Sequence, residues 1–420
     1  MKLVLDKVTK CSGRAGILSG FERLPNVKFE TPALITHTKG GSVPHLSKDV
    51  LSFVTSAPNL MQYSLTNTEH MAEAMSAAEQ GIARFVAQQE SVSLLTLKDP
   101  AEFCQPAFHE KDLVPIYGRS GRINLTAERF VELAEIYQPD IYVPLFDGDT
   151  DMNSSKKRNQ RSVDRTEKFL LQCLEAHRTS DTLKRSSILA PIVGGYNMKL
   201  REQSLAFLDL HKDEFEGYLL AGLHLNGISA CQIEREQVLS ITTKICESLP
   251  VEKPRFIFGA FTPRITLELV SRGVDIFDTS YPYLKTQQHK ALSFSFNTDD
   301  QNAEVIESEL DLKDSRWSED FKGLVNGCSC LTCTKHTRAY SHHLFNTREM
   351  LGPILLMIHN LHHYFEFFRA IRKHVANDTL PALIAHLNKQ KEVTTKEENC
   401  STNANETKLN EKNKHKKIKQ

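Results

Sequence analysis

From about residue 140 the sequence keeps returning to one pattern: a short, nearly all-apolar run, a turn, then a stretch with helical periodicity. The runs are Ile141 to Leu145, Ile188 to Val193, Gly217 to Leu223, Arg255 to Phe261 and Val274 to Phe277. Strands that are apolar on both faces suit a parallel sheet covered by helices, because crossover helices exclude water from both sides. Between the runs lie amphipathic segments. Thr126 to Tyr137 carries Phe130, Leu133, Ala134 and Tyr137 on one face with Thr126 placed as an N-cap. Thr262 before Pro263 opens another that ends at Gly273. Such a chain is α/β, either doubly wound or closed as a (β/α)8 barrel, and periodicity alone does not choose.

The first ninety residues are less regular. They offer an alternating strand-like run in MKLVLDKVTK, a strand from Pro32 to His37, a turn at Gly40 and Gly41, and a helix around Glu69 to Phe85. A strand cap followed by the first barrel units accounts for them. With 420 residues and 40% hydrophobic content the chain can bury one large core. Lys plus Arg and Asp plus Glu each total 52, so no overall positive field draws it onto nucleic acid, and RNA contact would need a local patch or a partner. The N-terminus lacks the apolar core of a signal peptide and no 18-residue apolar run appears, which predicts a soluble, intracellular chain. From roughly residue 386 onward Lys, Glu, Asn and Thr dominate, and we expect a disordered polar tail over 386–420. Its Lys412 to Lys419 cluster reads most simply as a solvated charge run.

Three of the nine cysteines fall within six positions, Cys328, Cys330 and Cys333. In a reducing compartment clustered thiols point to a metal rather than to disulfides. A tight turn supplies three sulfurs, and one imidazole completes the tetrahedron that Zn²⁺ prefers, closing the shell as in a structural site. His336, His342, His343, His359, His362 and His363 all lie near in sequence. His359 is favoured because it sits on the apolar helical stretch Pro353 to Phe368, which must pack inward.

The Cys-x-Cys-x-x-Cys turn with His359 downstream resembles the zinc motif of the tRNA-guanine transglycosylase family, and Leu344, Phe345 and Asn360 around it look similar too. Further matches run through Arg14-Ala15-Gly16, Thr31-Pro32-Ala33, Leu125 to Arg129, Gly194-Gly195 and Gly273 to Asp278, covering roughly residues 10 to 380. The resemblance implies a (β/α)8 TIM barrel with an inserted C-terminal zinc-binding subdomain at about 315–375 inside a domain of 1–385. It implies one Zn²⁺ per subunit, held by Cys328, Cys330, Cys333 and His359. It also implies dimers that work on the anticodon loop of tRNA. Asp278 stands where the family's nucleophile attacks the ribose carbon bearing guanine.

Around Asp278 the family pattern is lost. The Pro-Thr-Arg type segment that holds the anticodon loop is replaced by Thr279-Ser280-Tyr281-Pro282-Tyr283-Leu284-Lys285-Thr286. The Asp-Ser-Gly-Gly-Phe loop that supplies a second carboxylate is missing, and its place offers only Asp99 within Leu97-Lys98-Asp99-Pro100. Gln-Gly-Gly appears as Val193-Gly194-Gly195, and Gly-Leu-Ala-Val-Gly as Gly222-Leu223-His224-Leu225-Asn226. Asp147, Gly148 and Asp149 keep a carboxylate-bearing strand end. A pocket that has lost its polar readers loses orders of magnitude in base binding.

The resemblance therefore implies a noncatalytic subunit of a pentosyltransferase complex. Such a subunit supports exchange of guanine for queuine at the wobble position of tRNAs with GUN anticodons, the queuosine modification, by a catalytic queuine tRNA-ribosyltransferase subunit with which it forms a heterodimer. No catalytic residue is then expected. Two alternatives stay open: an independently active base-exchange enzyme using Asp278, and a scaffold that binds queuine or anchors the complex at a membrane. The expected location is cytoplasmic, with peripheral association at the mitochondrial outer membrane as a further expectation. Candidate tRNA contacts are the basic loop Lys156, Lys157, Arg158 and Arg161, and the patch Lys335, His336 and Arg338 past the cysteine turn.

Overall fold

The computed structural model describes residues 1–56, 58–104, 112–119, 121–299 and 306–391. Eight parallel strands close into a barrel, which settles the choice that periodicity left open. They are β1 (Ala33–His37), β2 (Leu60–Ser64), β3 (Val92–Thr96), β4 (Ile141–Tyr142), β5 (Ser187–Ile192), β6 (Gly217–Leu220), β7 (Arg255–Ile257) and β8 (Ile276–Asp278). Closure runs through β8 against β1, with Ile276 opposite Ala33 and Asp278 opposite Ile35. All five apolar runs of the sequence lie on barrel strands. The first four runs overshoot, because their last residues leave the ladder to form the loops at the barrel mouth, whereas Val274 to Phe277 begins ahead of β8 and stops one residue short of its end at Asp278.

Two strands were not visible as apolar runs. β2 and β3 carry Gln62, Ser64, Ser93 and Thr96, all buried and polar. The barrel bonds them internally in large part: Gln62 Nε2 donates to Thr96 Oγ1 at 3.3 Å, and Ser93 Oγ donates to Asp140 at 2.8 Å, while Gln62 Oε1 finds no partner among the described residues. The helix expected from Glu69 to Phe85 is broken into Glu69–Met71, Ala72–Ala78 and Ile82–Phe85. Glu79 turns left-handed at φ 51°, and Gly81 packs against the carbonyl of Tyr137, where a Cβ would sit at 2.9 Å. Thr126 and Thr262 cap their helices as expected, accepting from the backbone N–H of Arg129 and Ile265.

The N-terminal strands Lys2–Val8, Arg14–Ser19 and Phe29–Thr31 form an antiparallel sheet whose Leu3 and Leu18 join the apolar barrel interior at its N-terminal end. Arg14, 3% exposed, makes a two-point pair with Asp275 at 2.9 and 2.6 Å, just before β8. Arg23 does the same for Asp140, just before β4. The sheet is thereby fastened to the barrel bottom, leaving the opposite end open for chemistry.

After β8 and the helix Ser280–Gln287, the chain makes an excursion before the next long helix. Strands Lys290–Leu292 and Glu309–Asp311 pair antiparallel, and short helices Leu331–Lys335 and Arg338–Asn346 follow. A separate apolar cluster of Ala291, Leu310, Leu312, Trp317, Leu324, Phe345 and Leu356 holds this subdomain together. The long helix Leu351–Ala376 extends beyond the expected Pro353–Phe368 at both ends and packs Phe367, Phe368 and Ile371 into the main core, with Phe368 edge-on to Phe277 of β8. Ordered structure continues through a helix at Leu380–Lys389, with Leu383 and Leu387 buried, past the residue 386 at which the polar tail was placed. Apolar residues at Leu380, Leu383 and Leu387 share one face of that helix, which the surrounding Lys and Asn composition conceals. Lys412 to Lys419 lie outside the described residues.

Candidate functional site

Two constellations come together. The first is the cysteine turn. The ligand atoms of Cys328, Cys330, Cys333 and His359 lie within 4.8 Å of one another, and among the described residues no other such group forms. His359 Nδ1 is 3.9, 3.5 and 3.3 Å from the three sulfurs in chain order. Bond lengths of about 2.3 Å to sulfur and 2.0–2.1 Å to nitrogen in a tetrahedron give an S to N edge of about 3.6 Å, so the donors already stand at coordinating separation. Their setting explains why. His359 is fully buried and donates from Nε2 to the Leu292 carbonyl at 2.8 Å, which leaves the Nδ1 lone pair facing the sulfurs. Asn360 bonds the strand carrying Leu292 through Lys290 O at 3.0 Å and Leu292 N at 2.9 Å. Thr332 ties the cysteine turn to the long helix through Leu355 O at 2.6 Å. The set can hold a metal ion, and its donor types and distances fit one.

Of the other nearby histidines, His363 donates to Phe294 O, His362 meets Ser329 and His342 meets Leu312 O, so each is engaged away from the sulfurs.

The second constellation is the barrel mouth. Asp278 ends β8, is 2% exposed, and has both oxygens engaged by backbone donors: Oδ2 accepts from Gly259 N at 2.6 Å and Oδ1 from Ser280 N at 2.7 Å. Burial pushes its pKa up to about 6, against those hydrogen bonds. Asp99, the carboxylate that the sequence offered where the resemblance expects a second one, is paired with His37 Nε2 at 2.8 Å and also accepts from Asn67 at 2.6 Å and Ala101 N at 2.8 Å. Burial opposes charge on His37, but Asp99 and then Asp278 outweigh it and raise its pKa; Asp99 is held below the usual carboxylate range by that same imidazolium. Tyr283 stacks on the His37 ring at 5.1 Å. Farther round the rim Lys39 pairs with Glu102, and Lys98 with Asp149. Each of these three mouth acids is thus matched by a base of the same chain. His37, Lys39 and Lys98 escaped sequence reasoning, although all three follow or end barrel strands, where chemistry collects.

The positions expected from the resemblance to read the base are engaged in packing and internal hydrogen bonds. Val193 is buried with Val163 and Leu200. The following glycine keeps a structural use: Gly194 has φ +131°, and a Cβ there would sit 2.9 Å from the Arg201 backbone nitrogen. Arg201, fully buried, donates to the carbonyls of Ile192, Gly195 and Ala221. His224 is partly buried, donates to Phe258 O and accepts from Asn226 N; desolvation of its ring lowers its pKa to about 4, so the ring is neutral.

The basic segment at Lys156 is not a loop but the first turns of helix Lys156–Thr179, capped by Ser155. Lys156, Lys157 and Arg161 are exposed, while Arg158 turns inward to the buried carboxylate of Asp147, which Arg165 also binds. Lys335 is exposed, but Arg338 is bound to Asp320 and the Leu324 carbonyl and lies over the Trp317 ring. Among the described residues no helix is long and apolar enough to cross a membrane.

Comparison with known proteins agrees with this picture over nearly the whole chain. The family model for queuine tRNA-ribosyltransferase matches residues 9–393. A protein of Culex quinquefasciatus named queuine tRNA-ribosyltransferase accessory subunit 2 is 64% identical over 93% of this chain and 91% of its own length. Proteins of the same name from Aedes aegypti and Drosophila mojavensis are 58% and 43% identical, covering 94% and 93% of this chain and 93% and 92% of their own lengths. With barrel, cysteine turn and whole-length similarity in agreement, the chain belongs to the queuine tRNA-ribosyltransferase family.

Proposed function

We propose that this chain is the noncatalytic subunit of a queuine tRNA-ribosyltransferase. It pairs as a heterodimer with a catalytic paralogue and supports exchange of guanine for queuine at the wobble position of tRNAs with GUN anticodons. The observation that carries the reading is the state of Asp278. A nucleophile must present a lone pair to the ribose carbon, yet this carboxylate is buried with both oxygens held by backbone N–H groups. Its natural assistant, Asp99, is consumed by His37, Asn67 and Ala101. The names of the relatives, each an accessory subunit, support the same role.

In this proposal Cys328, Cys330, Cys333 and His359 hold one Zn²⁺ per subunit. Four protein donors leave no open position, so the metal would order the subdomain and activate no water. Lys156, Lys157 and Arg161 on one rim, and Lys335 beside the cysteine turn, are the residues proposed to meet tRNA phosphates. Arg158 and Arg338, proposed alongside them, would act chiefly by holding Asp147 and Asp320. The proposed location is the cytoplasm, with peripheral attachment at the mitochondrial outer membrane as its finer form.

The test is incorporation of labelled guanine or queuine into tRNA by the purified chain alone, by the catalytic paralogue alone and by both together. Activity only when the paralogue is present supports the proposal; turnover by this chain alone overturns it in favour of an independent enzyme using Asp278.

A further inference from the structure

Lys98 and Cys104 line two spaces at the barrel mouth, a cavity of about 80 Å³ and a cleft of about 340 Å³ that Phe103 and Tyr117 border. Lys98 Nζ lies 3.1 Å from Cys104 Sγ. The contact is held from both ends. Lys98 leaves the end of β3 with its ammonium paired to Asp149, and Cys104 N donates to Leu225 O at 2.8 Å. Gly227 N donates to Pro100 O at 2.9 Å, so the loop between the two residues is stitched to the loop after β6. The Cys104 sulfur is half-buried beside the cleft, within reach of small solutes. Cys11 and Cys231, half-buried as well, meet instead the Thr9 hydroxyl and the Ala260 carbonyl. A thiol with an amine at contact distance is a pair of complementary reactants, because oxidation of the sulfur to a sulfenic acid makes it an electrophile and the nitrogen is a nucleophile.

We propose that Lys98 and Cys104 form a reversible oxidative modification site, at which a peroxide turns their contact into a covalent sulfur–nitrogen bond. The Cys104 sulfur attacks one peroxide oxygen and the O–O bond breaks. Sulfur is oxidised to a sulfenic acid, and the thiol proton leaves with the other oxygen as water. Lys98 then gives one ammonium proton to Asp149 and its lone pair attacks sulfur. The S–O bond breaks, and hydroxide departs as water with a second proton from the nitrogen. A thiol reductant, supplying two electrons and two protons, restores thiol and amine. Burial raises the Cys104 pKa against the pull of Lys98, which makes the first step the slow one. The competing fate of a sulfenic acid is a second oxidation to sulfinic acid. Proximity decides between them. Burial pulls the Lys98 pKa down, but Asp149 and Cys104 outweigh it and raise it, so little of the amine is free. Reactants held about 3–3.5 Å apart reach effective concentrations of about 10⁵ M or more, and the 3.1 Å contact lies in that range. With only one nitrogen in about 10⁵ deprotonated, the local amine still counts as roughly 1 M, about a thousandfold above millimolar peroxide. The site is independent of whether the chain catalyses base exchange.

The experiment treats the full chain, with zinc supplied, with about a tenfold molar excess of hydrogen peroxide, caps remaining thiols by alkylation and maps the peptides by mass spectrometry. Bond formation blocks tryptic cleavage after Lys98, so a peptide spanning residues 85–111 should appear, two hydrogen atoms lighter than its unlinked form. Cleavage after Glu102 should leave its two pieces joined, and dithiothreitol should restore cleavage after Lys98. In wild type the linked form should exceed Cys104 sulfinic acid at least tenfold. Lys98→Arg keeps a cation for Asp149 but offers a guanidinium in place of the nucleophilic amine, and should invert that ratio. Cys104→Ser should abolish the linked peptide. Wild type that carries Cys104 as the capped thiol or as sulfinic acid, with Lys98 still open to trypsin, would overturn the proposal, and that result needs no variant to fold.

Discussion

The proposed metal site allows a sharp test of a choice that sequence left among six histidines. Consider His359→Ala beside His362→Ala and His363→Ala. Removing His359 deletes the donor that stands 3.3–3.9 Å from the three sulfurs and leaves three thiolates with an open coordination position. It also strands the buried Leu292 carbonyl, which His359 Nε2 satisfies, at about 1–3 kcal/mol. Structural zinc contributes roughly 10–16 kcal/mol of coupled binding and folding in small sites, so losing one ligand of four far exceeds the 10- to 100-fold affinity loss seen when an outer partner is changed. The measurement is metal content of purified protein together with a melting curve. We predict about one zinc per chain for wild type, His362→Ala and His363→Ala, far less than one for His359→Ala, and an early melting step as the subdomain loosens while the barrel stays folded. Near-stoichiometric zinc in His359→Ala, or its loss in His362→Ala, would refute the ligand assignment. Chelation of wild type should reproduce the early step.

Other outcomes follow from the barrel. Because burial raises the Asp278 pKa from 3.8 to about 6, its stabilising contribution is fully present below about pH 4 and lost as pH rises through 6, about 3 kcal/mol in all. The stability of wild type relative to Asp278→Asn should therefore fall by that order between pH 4 and pH 7 in denaturant titrations, and a flat difference would exclude an ionisable, buried Asp278. Arg14→Ala removes the two-point partner of fully buried Asp275 and should cost about 3–5 kcal/mol by the same titrations, whereas an effect under 1 kcal/mol would mean the N-terminal sheet is not fastened there. Alanine at Lys156, Lys157 and Arg161 together should leave the melting temperature unchanged and reduce the salt dependence of tRNA binding by the assembled complex by roughly 0.7–0.9 per lost contact. Arg158→Ala should lower stability instead, since it deprives buried Asp147 of one of its two arginines.

How much could be read from sequence depended on where the polar groups sit. The five apolar strands and the two threonine-capped helices were legible because their side chains enter a water-free core, so composition reports burial directly. β2 and β3 were not, since Gln62, Ser93 and Thr96 bond to partners distant in sequence, and a buried polar side chain looks like an exposed one until those partners are known. The cysteine cluster that could hold a metal ion was legible because three thiols in one turn have few other uses. The mouth was only half legible. The absence of the family's loops was plain, but the compensating pairs His37 with Asp99 and Lys98 with Asp149 join different strand ends, and only closure of the barrel brings them together. Arg158 shows the reverse error, a cation that reads as surface and is drawn inward by one buried carboxylate.

The central claim is that this chain contributes no nucleophile to the complex that it joins. The most direct measurement is the queuine exchange rate of the reconstituted heterodimer when Asp278→Asn is carried by this chain alone, set against the equivalent change in the catalytic paralogue. The account predicts a rate within about twofold of wild type in the first case and loss by several orders of magnitude in the second. A comparable collapse from Asp278→Asn in a heterodimer that still assembles and binds tRNA would contradict it.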